Sequence, residues 1–268
     1  MLKVKGSEYS GMSLIELPRG VKEKVEQPLE EKLEATIQLL KQWIGENCYV
    51  SCSFGKDSML VVFLALEIRK DVPVVFVNTG VDHKETIRFK ERIAREWDLN
   101  LIEVKPQITF FQVMDRVKKR GRSLDDGSKN SNICCYHLKE KPLLHLTREK
   151  GFTHCFTGTT AIESRKRAWV ALQKGNCYFV KKHEITKIHP ILYWQPQEVL
   201  EFSREYMIPL NPVYEKYAIP RTGCQCCTCY LGWKEQLSRV NPKLYKIILE
   251  RYFNQRILDQ GYVTESVC

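Results

Sequence analysis

The stretch YVSCSFGKDSMLVVFLAL, residues 49–66, joins an apolar, β-rich run to an apolar helix through a short set of small and charged residues. The small side chains of Ser53, Gly55 and Ser58 allow backbone amides to converge on an anion at the start of the helix, where the helix dipole also favours negative charge. Lys56 adds a cation that is expected to be exposed and mobile, and Asp57 adds an oxygen ligand of the kind that Mg²⁺ prefers. The stretch therefore predicts a phosphate-binding loop between a strand and a helix.

The same loop also has a purely structural interpretation. It lacks the GxxxxGK[ST] spacing of a Walker loop, and a polar helix start capped by Ser53 or Asp57 would use the same residue types. Spacing alone leaves both interpretations open.

Short apolar runs and helical patterns alternate around the loop. Runs typical of buried strands are CYVSCSF (48–54), VPVVFVN (72–78), NLIEVK (100–105) and THCFTG (153–158), and helical patterns cover 58–70, 84–97 and 139–150. Strands that alternate with helices form a parallel sheet with helices on both faces. Ligands of such sheets bind beyond the carboxyl ends of the strands, at the switch point, so we expect the loop to lie in the ligand site.

The pattern divides the chain into three parts. Residues 1–47 contain a helical segment at 28–45, residues 48–180 carry the alternation of strands and helices, and residues 181–268 are shorter pieces rich in aromatic residues, Pro and Cys. We expect the last part to be a small subregion packed on the sheet.

Composition and charge restrict the class of protein. The 268 residues are 43% hydrophobic, enough to fill the core of one large α/β domain with a smaller appendage. The chain carries 42 Lys and Arg against 32 Asp and Glu, a net charge of +10. This charge suits a polyanionic ligand such as a nucleotide or a nucleic acid, and a basic solvated surface explains it equally well.

The sequence predicts a cytoplasmic protein without a membrane anchor. The N-terminal stretch lacks an apolar core with a cleavage site, and the longest apolar run, 59–66, is too short to span a bilayer. Because cytosolic thiols stay reduced, we expect the eleven cysteines to hold metal or do redox chemistry rather than form disulfides.

The clustered cysteines lie in ICCYHLKEKPLL (133–144) and TGCQCCTCY (222–230). Cys134 and Cys135 can reach one metal centre only at a turn or helix start, because adjacent side chains of a strand point to opposite faces. Lys139, four residues after Cys135, would lie on the same helix face and moderate the thiolate charge. Pro142 predicts a break or kink in this helix.

The second segment contains two overlapping CxxC pairs, Cys224 with Cys227 and Cys226 with Cys229. Four thiolates from a CC pair and a distant CxxC fit either tetrahedral zinc or a [4Fe–4S] cluster, and spacing does not separate the two. Any extra thiol also fits a small buried hydrophobe. Three histidines, His83, His137 and His189, are expected to be structural or on the surface.

Six segments together resemble a known family. SFGKDS resembles the SGGKDS signature of the PP-loop ATP pyrophosphatases. Five later segments, in family order, resemble the phosphoadenosine phosphosulfate (PAPS) reductase family within that superfamily: FVNTGVDHKET (76–86), ICCYHLKEKPLL (133–144), GTTAIESRKRA (158–168), IHPILYWQPQEVLEF (188–202) and NPVYEKYAIPRTGCQCCT (211–228). The resemblance implies an adenine nucleotide alpha hydrolase-like α/β fold, with a parallel five-stranded-type sheet, helices on both faces and a Cys-rich C-terminal subregion.

The resemblance also implies site residues. The expected nucleotide-binding set is Ser53, Phe54, Gly55, Lys56, Asp57, Ser58, Asn78, Thr79, Gly80, Gly158, Glu163, Ser164, Arg165 and Arg167. The expected ligands of a [4Fe–4S] cluster are Cys134, Cys135, Cys224 and Cys227, the last two aligned with the family's GCxxCT. The expected catalytic residues are Lys56, Asp57, Lys139, Arg165 and Cys268.

Two reactions and one binding role remain open at this point. In the first, ATP with Mg²⁺ adenylylates an acceptor with release of pyrophosphate, and a sulfur donor protein such as a cysteine desulfurase then supplies sulfur; DNA or RNA would be the acceptor, as in DNA phosphorothioation. In the second, the protein reduces PAPS or adenylyl sulfate to sulfite through Cys268 and a thioredoxin-like reductant. A zinc-bearing nucleic-acid-binding module is the third, and a homodimer is an expected assembly.

The loop itself favours ATP among these alternatives. Reductases of the family often carry a degenerate loop, because their substrate has no β- and γ-phosphates, whereas this chain keeps Lys56, Asp57 and Ser58. The ECGLH motif of reductase tails is missing, and only the terminal Cys268 in VTESVC resembles it.

Overall fold

The computed structural model describes residues 16–119, 133–227 and 232–253. Helices lie at Arg19–Val25 (α1), Leu29–Trp43 (α2), Lys56–Ile68 (α3), Lys84–Glu96 (α4), Phe110–Lys119 (α5), Lys141–Lys150 (α6), Arg165–Lys174 (α7), Pro196–Glu205 (α8), Val213–Tyr217 (α9), Trp233–Val240 (α10) and Pro242–Phe253 (α11). A π-helical turn, Tyr136–Glu140, runs directly into α6, and a 3₁₀ turn covers Ala161–Glu163. The strands are Cys48–Ser51 (β1), Val74–Val77 (β2), Leu101–Val104 (β3), His154–Thr157 (β4), Cys177–Val180 (β5) and Ile185–Ile188 (β6).

The described strands form one sheet in the order β3-β2-β1-β4-β6-β5. Strands β1, β2, β3, β4 and β6 pair in parallel, and β5 pairs antiparallel with β6 at the edge. The predicted α/β class with a parallel five-stranded-type sheet is confirmed, with β5 as a sixth, antiparallel strand. The order of the strands reverses at β1, so the switch point lies where β1 meets β4.

Helices cover both faces of this sheet. In β1, Val50 packs into a cluster that contains the apolar residues of α3, whereas its neighbour Tyr49 packs into a cluster with Leu146 of α6. Helix α3 is apolar around most of its circumference, since it lies between the sheet and the helices α2 and α8. No helix in the described ranges is long and apolar enough to cross a membrane.

The sequence did not predict strands β5 and β6, and the alternation was expected to fade near residue 180. Each of these strands has only four residues, and both middle residues of β6, Thr186 and Lys187, are polar. Strand β6 is in the sheet because it pairs with β4, from His154 to Phe156. That pairing is a long-range interaction, which a four-residue pattern does not reveal.

A second apolar cluster lies beside the sheet. It joins α5, α10 and α11 through side chains such as Phe110, Met114, Trp233 and Ile248, and it includes Leu138 of the π-helical turn. This cluster positions the two cysteine segments against α5. The division of the chain into 1–47, 48–180 and 181–268 stays a prediction.

The loop after β1 contains an unusual backbone conformation at Phe54. Its φ of 55° lies in the left-handed region, which favours glycine, and the SGGKDS signature has glycine at this position. The Phe54 side chain is fully buried, with its ring edge-on to Phe76 at 5.5 Å between centroids and to Phe89 at 6.3 Å. Burial of the ring therefore offsets the cost of the backbone conformation.

Two substitutions at Phe54 test this balance. Phe54→Ala should lower the free energy of unfolding by about 3–5 kcal/mol, because it removes a buried ring. Phe54→Gly loses the same ring but also removes the left-handed penalty of about 1–2 kcal/mol, so the Gly variant should be the more stable of the two. Urea denaturation measures both values.

The same pair of substitutions at Phe76 provides the control. Phe76 lies within β2, where glycine is normally less favourable than alanine. Phe76→Ala should therefore be more stable than Phe76→Gly. A Phe54→Ala variant at least as stable as Phe54→Gly would contradict the strained-backbone interpretation.

Candidate functional site

The site begins where β1 ends and α3 starts. Helix α3 has Gly55 as its N-cap, and no side chain caps it, so the predicted alternative of a cap from Ser53 or Asp57 is wrong. The Ser58 hydroxyl instead closes the loop on itself: it accepts from the Ser53 N–H at 3.2 Å and donates to the Gly55 carbonyl at 3.0 Å. The first turn of α3 therefore lies at the carboxyl edge of the sheet without a side-chain cap.

Gly158, in the loop after β4, crosses this first turn at very close range. A Cβ atom at Gly158 would lie 2.6 Å from both the Asp57 carbonyl carbon and the Ser58 nitrogen. Real Cβ contacts are never that short, so only glycine allows the two loops to meet. This approach joins the loop after β1 to the loop after β4 at the switch point.

A cavity of about 820 Å³ lies over these two loops. Of the predicted site residues, it is lined by Ser53, Gly55, Asp57, Ser58, Lys139, Gly158, Glu163 and Arg167. The remaining lining residues are Ser51, Thr157, Thr159, Tyr214, Pro220, Arg221, Thr222 and Gly223. The sequence-predicted phosphate loop and the predicted opposite wall therefore share one cavity.

Two residues of the loop do not line that cavity. Phe54 points into the core, as described above. Lys56 was expected to be an exposed, mobile cation, but it is 5% exposed and its ammonium group contacts the Asp57 carboxylate at 2.5 Å. Lys56 therefore acts on the cavity through Asp57, and its backbone N–H donates to the Tyr214 hydroxyl at 3.0 Å.

Residues 164 and 165 lie outside this cavity as well. The Ser164 hydroxyl caps α7 by accepting from the Arg167 N–H at 3.3 Å, and Ser164 lines an adjoining cavity. The Arg165 side chain is 76% exposed and pairs with Glu16 at 3.7 Å. The structure thus brings Arg167, but not Arg165, to the loop.

The predicted loop after β2 faces the cysteines rather than this cavity. Asn78 donates to Glu103 at 3.0 Å and accepts from the Gly80 N–H at 3.1 Å. The Thr79 hydroxyl donates to Asp82 at 2.7 Å and lies 3.4 Å from the Cys224 sulfur. The loop at 78–80 therefore supports the second cysteine segment.

Two cationic side chains face each other in the cavity. Burial lowers the pKa of Arg167, the nearby Arg221 guanidinium lowers it further, and Asp57 acts in the opposite direction. Arg167 also pairs with Glu163. The sequence analysis missed Arg221, Tyr214 and Thr222, although Arg221 stands three residues before Cys224 in a segment that resembled the family.

A buried histidine supports the wall shared with the adjoining cavity. The His189 ring lies 2.6 Å from the Thr157 hydroxyl and 3.2 Å from the Tyr178 hydroxyl. Burial, assisted by Lys187 and Arg167, lowers the pKa of His189 to about 4. A neutral imidazole between two hydroxyl groups fits the structural placement that the sequence predicted.

The two cysteine segments meet around a second, smaller cavity. It is lined by Cys134, Cys135, Cys224, Cys226 and Cys227, together with Phe110, Leu138 and Lys139. Cys134 and Cys135 lie in helical backbone just before the π-helical turn, and this turn precedes Pro142, which takes one of the first two positions of α6. Such π-turns occur often at functional sites.

The thiols in this cavity influence one another. Burial raises the pKa of Cys134, and the Cys224, Cys135 and Cys227 thiols raise it further. The Cys224 thiol in turn is the main cause of a raised pKa at Lys139. Lys139 lines both cavities, so one ammonium group serves the thiols and the strand-end cavity together.

The donor set fits a thiolate-ligated cluster. In the described part of the chain, no three His, Cys, Asp or Glu side chains converge as ligands of a single ion. Four of the five cysteines that line the cavity can serve as the ligands of one cluster, and Lys139 beside them would offset its negative charge. Cys226 differs because it is 2% exposed and belongs to the apolar cluster of α5 and α10. Cys229 and Cys268 lie outside the described residues.

The fold and site define an α/β protein with a ligand cavity at the strand ends and a cysteine cavity beside it. The chain belongs to the phosphoadenosine phosphosulfate reductase domain family, whose model matches residues 47–230. The predicted resemblance is confirmed, and the protein is an enzyme of the PP-loop sulfurtransferase or sulfonucleotide reductase type.

Curated relatives and a solved structure agree with this assignment. Adenosine 5'-phosphosulfate reductase of Staphylococcus haemolyticus is 29% identical over 188 residues, which cover 69% of this chain and 71% of the relative. Adenosine 5'-phosphosulfate reductase 1 of Bacillus subtilis is 27% identical over 209 residues, 75% of this chain and 83% of the relative. The PAPS reductase structure from Candida auris has a TM-score of 0.53 at 21% identity, covering 77% of this chain and 92% of that one, which supports the fold.

Substitution of Gly158 tests the contact between the two loops. Gly158→Ala should force the loop after β4 away from α3, lower the free energy of unfolding by about 1–3 kcal/mol and weaken binding of ATP. Urea denaturation and calorimetric titration measure the two effects. Gly45→Ala is the matched control, because no atom lies within 4 Å of a Cβ at that position. Wild-type affinity in Gly158→Ala would contradict the interpretation.

Substitution of single cysteines tests the ligand set. Anaerobically purified protein should be brown, because thiolates on iron produce charge-transfer absorption that zinc lacks. Cys134→Ser, Cys135→Ser, Cys224→Ser and Cys227→Ser should each lower the iron content measured by mass spectrometry. Cys226→Ala, the control in the same cavity, should keep it. A colourless protein with stoichiometric zinc, or iron loss only in Cys226→Ala, would refute the assignment.

Proposed function

We propose that the protein activates an acceptor with ATP for sulfur transfer. The acceptor attacks the α-phosphorus of ATP, the bond to the β-phosphate oxygen breaks, and pyrophosphate leaves. Hydrosulfide, released from the donor's persulfide by a thiol reductant that is oxidised to its disulfide, then displaces AMP from the activated acceptor. The main support for this proposal is one cavity that combines a helix start without a side-chain cap, two guanidinium groups and a lysine. The same lysine also lines the cysteine cavity.

The cavity presents groups that attract anions on two opposite walls. The Lys56 N–H already donates to the Tyr214 hydroxyl, and the rest of the first turn of α3 offers backbone N–H groups and a favourable dipole to a phosphate. Arg167 and Arg221 approach from the opposite wall and oppose each other electrostatically, so an anion placed between them would relieve that repulsion. Preorganised positive groups of this kind stabilise charge that develops on a leaving pyrophosphate.

A magnesium ion and a cluster complete the proposal. Asp57 would hold Mg²⁺ together with phosphate oxygens, as Mg²⁺ sites with one carboxylate do. Cys134, Cys135, Cys224 and Cys227 would hold a [4Fe–4S] cluster, which would supply a negatively charged, redox-capable centre beside the nucleotide. Lys139 lies between the two groups and would orient the incoming anion toward the nucleotide.

ATP is the preferred substrate because of Asp57 and its neighbours. The carboxylate lines the cavity beside the buried Lys56, and a carboxylate at a phosphate site suits a metal ion that accompanies the phosphates. A sulfonucleotide reductase is the second candidate function, favoured by the relatives that are named adenosine 5'-phosphosulfate reductase. In that reaction the substrate is adenylyl sulfate or PAPS, and sulfite is released.

The partners follow from the chosen reaction. With a net charge of +10, a nucleic acid acceptor such as DNA or RNA is the proposed partner, and a cysteine desulfurase is the proposed sulfur donor. A thioredoxin-like reductant would replace the donor in the reductase reaction. The cytoplasm is the proposed location.

Product analysis separates the two reactions. Anaerobic protein is incubated separately with ATP plus nucleic acid, with adenylyl sulfate and with PAPS, each with a thiol reductant. Pyrophosphate should form from ATP, and Asp57→Asn should reduce its rate by about 10²-fold, because the metal-binding charge is lost. Arg165→Ala, an exposed neighbour of the same motif, should retain the wild-type rate.

The opposite result is equally clear. Sulfite from adenylyl sulfate or PAPS, without pyrophosphate from ATP, would replace our proposal with the reductase function. Removal of Val267 and Cys268 should leave pyrophosphate release unchanged. Loss of sulfite release in that truncated protein would identify Cys268 as the nucleophile of a reductase.

A further inference from the structure

A groove lies behind the cysteine cavity, on the other side of the π-helical turn and α6. One wall consists of Val104 and Lys105 at the end of β3 and Ile108 in the following loop. Arg116 of α5 and the outward face of the π-helical turn and α6 complete it. Leu138 and Lys139 of this turn face the cysteines, so opposite faces of one helical segment line the two cavities.

The groove concentrates positive charge. Lys105, Arg116 and Lys141 line it together with His137 and His145, and none of its described lining residues is Asp or Glu. The strand-end cavity, by contrast, contains Asp57 and Glu163. The groove is therefore suited to an anion that carries no metal ion of its own.

Carboxylates near the groove are bound to other partners. Asp115, next to Arg116, pairs with Arg251 at 2.6 Å and accepts from the Tyr252 hydroxyl. Glu140, next to Lys141, pairs with Lys182 at 2.9 Å and contacts His183.

Glu103 is likewise engaged. It pairs with Lys90 and accepts from Asn78, and it also contacts Lys105 at 3.4 Å. Lys105 is thus partly neutralised, and the main free charge of the groove comes from α5 and α6.

The basic side chains form a row rather than a closed ring. Lys141 and His145 are four residues apart in α6, a rise of about 6 Å that is comparable with the distance between successive phosphates of a nucleic acid strand, and His137 of the π-helical turn lines the same groove. Lys141, His145 and Arg116 are exposed. Val104, Ile108 and Pro142 supply an apolar floor for sugar and base surfaces. An extended polyanion matches this shape better than a single small anion.

We propose that this groove binds the phosphate backbone of a single-stranded nucleic acid segment. The inference rests on the proposed function, because it names nucleic acid as the acceptor that the enzyme holds. The lining contains no Phe, Tyr or Trp among the described residues, so stacking on large aromatic rings does not contribute. Binding is therefore sequence-tolerant and depends strongly on salt.

A pair of charge reversals tests the groove. Fluorescence anisotropy measures binding of labelled poly(U) RNA and poly(dT) DNA to the full chain, without nucleotide and over a series of salt concentrations. Arg116→Glu combined with Lys141→Glu should raise Kd by about tenfold or more and reduce the salt dependence by about two phosphate contacts. Lys41→Glu combined with Arg95→Glu changes the net charge equally on exposed residues of α2 and α4, and it should have a much smaller effect.

No binding by the wild type, or equal weakening of binding in both double variants, would overturn the inference. Competition by poly-L-glutamate as strong as that by RNA would also overturn it, because it would indicate an acidic protein partner. The test is separate from that of the proposed function. Strand binding through the groove without pyrophosphate release would retain the groove and reject the ATP reaction, whereas pyrophosphate release by a protein that binds no strand would do the reverse.

Discussion

The contact between Gly158 and the first turn of α3 is the constraint on which the site depends. The backbone of the loop after β4 approaches the Asp57 carbonyl carbon and the Ser58 nitrogen so closely that no side chain fits. Because β1 and β4 are neighbours in the sheet, this contact fixes the phosphate loop relative to the wall that carries Glu163 and Arg167. A single position without a side chain thus determines the width of the cavity at the switch point.

Lys139 connects this cavity to the cysteines. A lysine four residues after Cys135 was predicted to moderate thiolate charge, and Cys224 is the main cause of the raised pKa of Lys139. The structure adds that the same side chain lines the strand-end cavity. Either proposed reaction needs a nucleotide site next to a site of sulfur chemistry. The Lys139 ammonium group borders both cavities.

Local patterns predicted the fold better than they predicted the environment of the site. The apolar runs at 48–54, 72–78 and 153–158 became the central strands β1, β2 and β4, since a central parallel strand is buried on both faces and its pattern is visible in a few residues, and the run at 100–105 became the edge strand β3. The exposure of Lys56 was wrongly expected, because its burial depends on Asp57 and on a hydroxyl from Tyr214, more than 150 residues away. Arg221 and Thr222 also line the cavity, although they are far from the loop in the sequence. Motif spacing does not encode such contacts; packing of the C-terminal segments on the sheet creates them.

Phe54 shows how the loop keeps its shape without the usual glycine. A left-handed residue with a large side chain persists only where its surroundings hold it. Here the ring is enclosed by Phe76 and Phe89, and the Phe54 carbonyl accepts from the buried Asn211 amide at 3.0 Å, which also donates to Thr86. The conformation is therefore set from the core side by an aromatic cluster and an amide, while the cavity side keeps only small residues. This separation lets the loop present an open helix start to a ligand without relying on the ligand for its own structure.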